Sequence, residues 1–369
     1  MKTATMELKD VGRALDLLIQ SGLRVVAPVR RPNPEGAGVQ DVHYFSEIDS
    51  GSRADLALGE GLPTMGIKEF FFPKDEPLFA YEKRYKKVTI TEVHHEFPKT
   101  VIFGVRPCDA AGLGSLNAVF SASNAGFEDT LFTGRRAQAT LVTWSCVEPD
   151  LSCFCTSVGL SPDSDKGSDL HLTQIDGERL HLEARTPAGE ALAGILMPLF
   201  RGEGDAEARQ RAGEAARAKI SRNRDPRQIK TWLDNPANFD DELWARLGEK
   251  CLGCGACTFV CPTCHCFDIV DEERGGGGGY RVKFWDSCQF DHFTLHASGH
   301  NPRSQQYQRY RNRFSCKFKI YQDAFSENGC VGCGRCIRGC PINLDITEYM
   351  LEVANKAARD ASVAGRDSE

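Results

Sequence analysis

Apolar and polar positions in the first half of the chain switch between two periods. In DVGRALDLLIQSG (10–22) the apolar residues recur at helical spacing and the run ends at Gly22, which predicts an amphipathic helix with a glycine stop. LRVVAPV (23–29) then reads as a strand. TVIFGV (100–105) and ATLVTW (139–144) are short, β-branched-rich runs of the kind that fill a buried sheet. DAAGLGSLNAVF, after the first of these, reads as a helix or turn. Helices alternating with buried strands predict an α/β fold. If the two runs lie parallel, the chain leaves both at the carboxyl edge of the sheet, where such folds bind ligands.

The pattern changes after residue 160. SPDSDKGSD (161–169) is a polar loop, and GEGDAEARQRAGEAARAKI (202–220) is a charged, alanine-rich helix followed by the breaker-rich SRNRDPRQ. These features place a boundary near residue 235, giving an α/β domain over 1–235 and a second domain over 236–369. In the second domain DDELWARLGEK (240–250) and LDITEYMLEVANKAARD (344–360) have helical character. The pentaglycine at 275–279 predicts a flexible loop.

Composition changes this picture at one point. The 369 residues carry a net charge of −6 and no sustained basic block, which argues against a nucleic-acid binder. No apolar run reaches the length of a membrane-spanning helix, and MKTATMELKD has no secretory pattern, so a cytoplasmic protein is expected. Sixteen cysteines are far more than such a chain ordinarily carries. In a reducing compartment they are ligands before they are disulfides.

Eight of them form one motif used twice. Cys251-x2-Cys254-x2-Cys257-x3-Cys261-Pro262 recurs as Cys330-x2-Cys333-x2-Cys336-x3-Cys340-Pro341. Three thiolates so spaced wrap three corners of an iron–sulfur cube, and the fourth, beside proline, is carried to the other cube. Two 4Fe–4S clusters are therefore expected. Cys251, Cys254, Cys257 and Cys340 hold the first, and Cys330, Cys333, Cys336 and Cys261 hold the second. Gly253, Gly255, Gly332 and Gly334 would let the backbone bend closely around them. Zinc is the alternative for any CxxC pair, but two complete four-cysteine motifs favour iron–sulfur. Two such centres in one module mean electron transfer.

The other eight cysteines are less constrained. Cys108, Cys146, Cys153 and Cys155 follow the two predicted strands and suit a third iron–sulfur site; inert buried thiols or zinc are the alternatives. Cys264, Cys266, Cys288 and Cys316 form a looser set that would make a fourth site, and a mixed site drawing one C-x-C from each domain is also open. His265 lies between two of these cysteines. His94 and His95 point apart in extended structure, while His292, His296 and His300 have helical spacing that suits either a metal or an exposed helix face. The basic run RYRNRF (309–314), with Arg303, Lys317 and Lys319, reads equally as a solvated helix face or as a functional one that docks an acidic partner or stabilises anionic clusters. No dinucleotide fingerprint, phosphate loop or nucleophile elbow is present, and GLGSL (112–116) reads as a helix start. No catalytic residue of the chain's own is expected.

Two resemblances extend this reading. The helix-flanked motif pair resembles the helical ferredoxin module of fumarate reductase and succinate dehydrogenase iron–sulfur subunits. That implies an α+β protein, with an N-terminal α/β domain followed by an all-α ferredoxin domain. More broadly, FGVRPCDAAGL (103–113), KEFFFPKDEPLF (68–79), CFCTSVG (153–159), CPTCHCFDIVDE (261–272), FWDSC (284–288) and NPRSQQYQRYRNRF (301–314) resemble the sulfhydrogenase beta-subunit family. That family includes the A subunit of anaerobic sulfite reductase, and the likeness runs through nearly the whole chain. It implies an iron–sulfur electron-transfer subunit between a flavin- and NAD(P)-binding subunit and a catalytic nickel–iron hydrogenase. A sulfite reductase is the alternative catalytic partner. A self-contained flavin and iron–sulfur oxidoreductase, or an iron–sulfur sensor, stands as a further alternative. The sequence departs from the family at Cys316, where many relatives are expected to carry histidine, and at the pentaglycine.

Overall fold

The computed structural model of the chain describes residues 2–34 and 41–366. Its strands are β1 (Thr3–Glu7), β2 (Arg24–Arg31), β3 (Val42–Ile48), β4 (Asp75–Arg84), β5 (Lys87–Glu92) and β6 (Thr100–Val105). They continue with β7 (Ala139–Trp144), β8 (Leu170–Gln174), β9 (Arg179–Ala184), β10 (Phe200–Gly202), β11 (Phe267–Arg274) and β12 (Gly278–Trp285). The large sheet has the order β10-β1-β9-β8-β7-β6-β2-β3. Its centre is parallel, β2 to β6, β6 to β7 and β7 to β8, and its flanks are antiparallel.

Side chains on these strands alternate between two cores, as the two-residue repeat of a strand requires. Val25, Ala27, Val101 and Val142 face the helices Val11–Gln20 and Pro187–Leu196. Val26, Ile102 and Leu141 face the other way, onto Phe71, Phe72 and the helix Pro107–Phe120. A sheet covered on both sides explains why its central strands read as nearly continuous apolar runs. The expected first helix is Val11–Gln20, and Gly22 stops it at φ +78°. The alanine-rich helix is Ala206–Ala218, capped by the Asp205 side chain on the Ala208 N–H.

The second half is not the all-α domain that the sequence reading expected. β11 and β12 lie inside it, and they pair with each other and then, through β12, with β4 of the first half. The result is a four-stranded sheet in the order β11-β12-β4-β5 that draws strands from both halves, so the protein is not an α/β unit followed by a helical one. The pentaglycine is the reason. It is a hairpin: Gly275–Gly277 turn, with Gly276 and Gly277 at φ +89° and +86°, and Gly278 and Gly279 open β12. Glycine takes that left-handed backbone at no steric cost, so the run closes a hairpin instead of preventing one.

Helices still form a core in this half. Arg227–Asp234, Leu243–Gly248, Gln306–Ser315 and Ile346–Arg366 gather Trp232, Trp244, Phe314 and Met350, with Phe154 inserted from the first half. Gln306–Ser315 runs on through a π-helical turn, Cys316–Ile320, into Tyr321–Phe325. A smaller core joins the halves directly: Leu62, Cys108 and Ala111 meet Val331 and Cys333. Among the described residues no helix is long and apolar enough to cross a membrane.

Candidate metal centres

Cys251 and Cys254 lie on the bend leading into the short helix Ala256–Phe259, which carries Cys257. They line one cavity with Cys340, and Cys336 reaches its wall; Cys261 does not border it. The crossover of the proline-flanked cysteine therefore has a spatial counterpart. Gln289, Tyr310 and Arg313 complete the lining. The Gln306 amide donates to the Cys251 sulfur at 3.3 Å and the Leu344 N–H to the Cys340 sulfur at 3.2 Å. Donors aimed at sulfur favour the thiolate that ligation needs. The hydroxyl of Tyr310 and the Nε of Arg313 are buried there with no hydrogen-bond partner. Such orphans are costly unless an acceptor occupies the space they face.

Around the second motif, Cys330, Cys333 and Cys336 interact with one another and with Cys261. Burial pushes the Cys330 thiol up to about 12, and the charge of Cys261 adds to this. The Gly332 N–H donates to the Cys330 sulfur at 3.4 Å. Cys261 is the exception, held well below the ordinary thiol value by a hydrogen bond from Cys264 and, against its burial, by Lys317.

The parallel pairing of β6 and β7 does bring Cys108 and Cys146 to one edge of the sheet. Cys108 sits in the first turn of Pro107–Phe120, and Cys146 follows β7. Cys153 and Cys155 join them: burial first, then Cys146, pushes both thiols up, Cys155 to about 12. This third set abuts the second motif. The Cys153 thiol donates to the Cys333 carbonyl at 3.7 Å and the Phe154 N–H to the Gly332 carbonyl at 2.8 Å.

The fourth set meets the second motif at Cys261. Cys264 is hydrogen-bonded to Cys261, Cys266 to Cys288, and Cys316 interacts with Cys288 and Cys261. Cys153 and Cys155 thus gather with Cys146, whereas Cys264 meets Cys261 of the second motif and Cys266 meets Cys288. His265 makes its contacts elsewhere than on sulfur. Its Nδ1 meets the Thr263 carbonyl at 3.1 Å, and its ring lies edge-on to Phe120 at 6.4 Å. The other histidines gather no metal site. His95 is hydrogen-bonded to the Pro77 carbonyl, and His292 stacks on Phe290. The segment carrying His296 and His300 is a turn, with only His292–Thr294 helical. Among the described residues, no three His, Cys, Asp or Glu side chains are gathered tightly enough for one ion.

The sequence reading missed the charges threaded between these thiols. Lys68, Lys317 and Arg313 are 5%, 5% and 6% exposed, and among the described residues none has a carboxylate in ion-pair range. Lys68 donates to the carbonyls of Thr258 and Cys264, both at 3.3 Å, and its ammonium lies 3.9 Å from the centre of the Trp285 ring. Lys317 donates to the Thr263 hydroxyl at 2.8 Å. Burial, with the charge of Lys317, lowers Lys68 to about 8 against the pull of Cys264 and Cys261, whereas the surrounding thiols hold Lys317 well above its usual value despite burial. Isolated buried cations cost several kcal/mol each, so negative charge must sit among the cysteines. Arg335 behaves differently. It grips Asp109 with two hydrogen bonds of 2.6 and 2.8 Å, both residues fully buried, and so ties RPCDA of the first half to CGRC of the second. The basic run was legible as countercharge, and Arg313 and Lys317 take that position. Lys319 instead stays at the surface with Asp234 and Asp323. Nothing in the sequence around Lys68 signalled its place.

Set against known proteins, residues 250–344 match the family described as a 4Fe-4S dicluster domain. Over 348 residues the chain is 31% identical to sulfhydrogenase 2 subunit beta of Pyrococcus furiosus, a match covering 94% of this chain and 93% of that one. The four-iron description suits what surrounds the two motifs: thiols with N–H donors on sulfur, orphaned donors, and buried cations lacking carboxylates.

Proposed function

The chain belongs to the sulfhydrogenase beta-subunit family, and we propose from that membership how its cysteines are used. It is an iron–sulfur electron-transfer subunit of a hydrogenase complex. Cys251, Cys254, Cys257 and Cys340 hold one 4Fe–4S cluster and Cys330, Cys333, Cys336 and Cys261 another. Cys108, Cys146, Cys153 and Cys155 hold a third centre, and Cys264, Cys266, Cys288 and Cys316 a fourth. When bound, these centres supply one-electron chemistry; the chain's own residues provide thiolates, N–H donors to sulfur, and buried countercharge. The observation that carries the reading is the set of buried cations, Lys68, Lys317 and Arg313, which among the described residues have no carboxylate partner and face cysteine sets whose ligation would supply the balancing negative charge.

The same reading keeps the division near residue 235. Residues 1–235 contribute the third set, and 236–369 contribute the other three. The partners on either side are a flavin- and NAD(P)-binding subunit and a catalytic nickel–iron hydrogenase module, in the cytoplasm. The test is reductive titration of the anaerobically purified chain followed by electron paramagnetic resonance. Reversible reduction to several magnetically interacting centres, without bound flavin, is expected. Centres that resist reduction would make the clusters structural, and a flavin bound one to one would make the chain an enzyme in its own right.

A further inference from the structure

We propose that Lys68 and Lys317 raise the reduction potentials of the second and fourth centres above those of the first and third, so that electrons collect along the segment Cys261–Cys264. This rests on the assignment of four centres just given and adds a role for two residues which that assignment does not use as ligands.

The two lysines reach the segment from opposite ends of the chain. Lys68 comes from the 3-10 turn Ile67–Phe70 of the first half, and Lys317 from the π-helical turn Cys316–Ile320. Irregular turns of that kind recur at functional sites, and here the turn sets Lys317 inward on the Thr263 hydroxyl. The thiols felt most by Lys68 are Cys264 and Cys261; those felt most by Lys317 are Cys261 and Cys264, then Cys316 and Cys330. Two ammonium groups that repel one another are thus both held against the same four residues, and among the described residues neither has a carboxylate in ion-pair range.

Reduction adds one negative charge to a cluster. A fixed positive charge nearby, in a medium that screens poorly, stabilises the reduced form more than the oxidised form and raises the potential. The other two sets are less endowed. Around the third, Arg335 is cancelled by Asp109, which leaves Arg106, set against Cys146, as a single countercharge where the second and fourth sets share two lysines. Among the described residues the first set has Arg313, which it shares with Cys336 of the second and Cys264 of the fourth. Lys68 and Lys317 are therefore positioning residues: they touch no reacting atom and act through the charge they hold beside the ligands.

The experiment is an anaerobic redox titration of the full chain, with iron counted in the same samples. Cys316→Ser marks the signal of the fourth centre. Lys68→Gln and Lys317→Gln, which keep a hydrogen-bonding side chain without its charge, are each expected to shift that signal to lower potential. Signals of the first and third centres should stay in place, and Lys68→Arg should bring the fourth back up. Each lysine is read separately, so loss of iron in one glutamine variant leaves the other to decide. A full iron complement with unmoved potentials, or an equal shift of all signals, overturns the proposal and leaves the four-centre assignment standing. A wild-type chain with iron for two clusters only overturns the assignment itself.

Discussion

The two cysteine motifs are nearly the same sequence, CLGCGAC and CVGCGRC, yet they live in opposite surroundings. In the first, Leu252 is 67% exposed and Cys254 is the one exposed cysteine of the sixteen. In the second, Val331 is 5% exposed and Cys333 is buried. Gly253 and Gly332 have the same left-handed backbone, φ +68° and +64°. A side chain on Gly253 would press on the Gln306 amide oxygen at 2.8 Å, whereas one on Gly332 would strike the Cys155 backbone at 2.5 Å. The local motif fixes how the thiols are presented; what packs on it decides whether the centre faces solvent or the interior. On this account the first centre is the outlet and the second, which meets the third set at Cys333 and the fourth at Cys261, is the hub.

The sharpest way to break this contrast is to put a methyl group on each glycine. Both alanine variants bear the left-handed strain of about 1–2 kcal/mol. Only Gly332→Ala must also push the Cys155 backbone away from its own, so it is expected to lose the iron of the second and third sets and to melt earlier. Gly253→Ala should keep its iron, because the Gln306 side chain can swing aside. Iron per chain and a thermal melt read both outcomes.

Next comes the buried ion pair. Arg335→Met or Asp109→Asn alone leaves an unpaired buried charge, at a cost of about 3–5 kcal/mol in chemical denaturation. The double variant should regain much of that. At the matching position of the first motif, Ala256→Ser should stay within about 0.5 kcal/mol. Equal costs at both positions would mean that the motifs share an environment after all.

Smaller effects come from the matched apolar residues. Val331→Ala should cost about 2 kcal/mol for the buried methyl groups and the space they leave, and Leu252→Ala within about 0.5 kcal/mol. Finally, an iron chelator added to the intact chain should bleach the first centre before the others, since only its set has a ligand open to solvent. Visible absorption with paramagnetic resonance distinguishes that order from uniform loss.

Much of this arrangement was written in the sequence, and what was not has a physical reason. The cysteine spacing announced the two motifs because ligation needs fixed separations along the chain. The β-branched runs before Cys108 and Cys146 announced parallel strands because a sheet covered on both faces tolerates little else. β11 and β12 stayed hidden: FDIVDEER exposes charged residues on an edge, and five glycines in a row mask the hairpin they close. The countercharges were the least legible. Lys68 meets Cys264, and Asp109 meets Arg335, across long stretches of chain, and a lysine in a turn looks the same in sequence whether it ends in water or beside a cluster.

The most direct test of the account is iron and acid-labile sulfide per chain on anaerobically purified protein. Four cubes require about 16 of each. A value near 8 would confine the centres to the two motifs and contradict the use of the remaining eight cysteines as ligands.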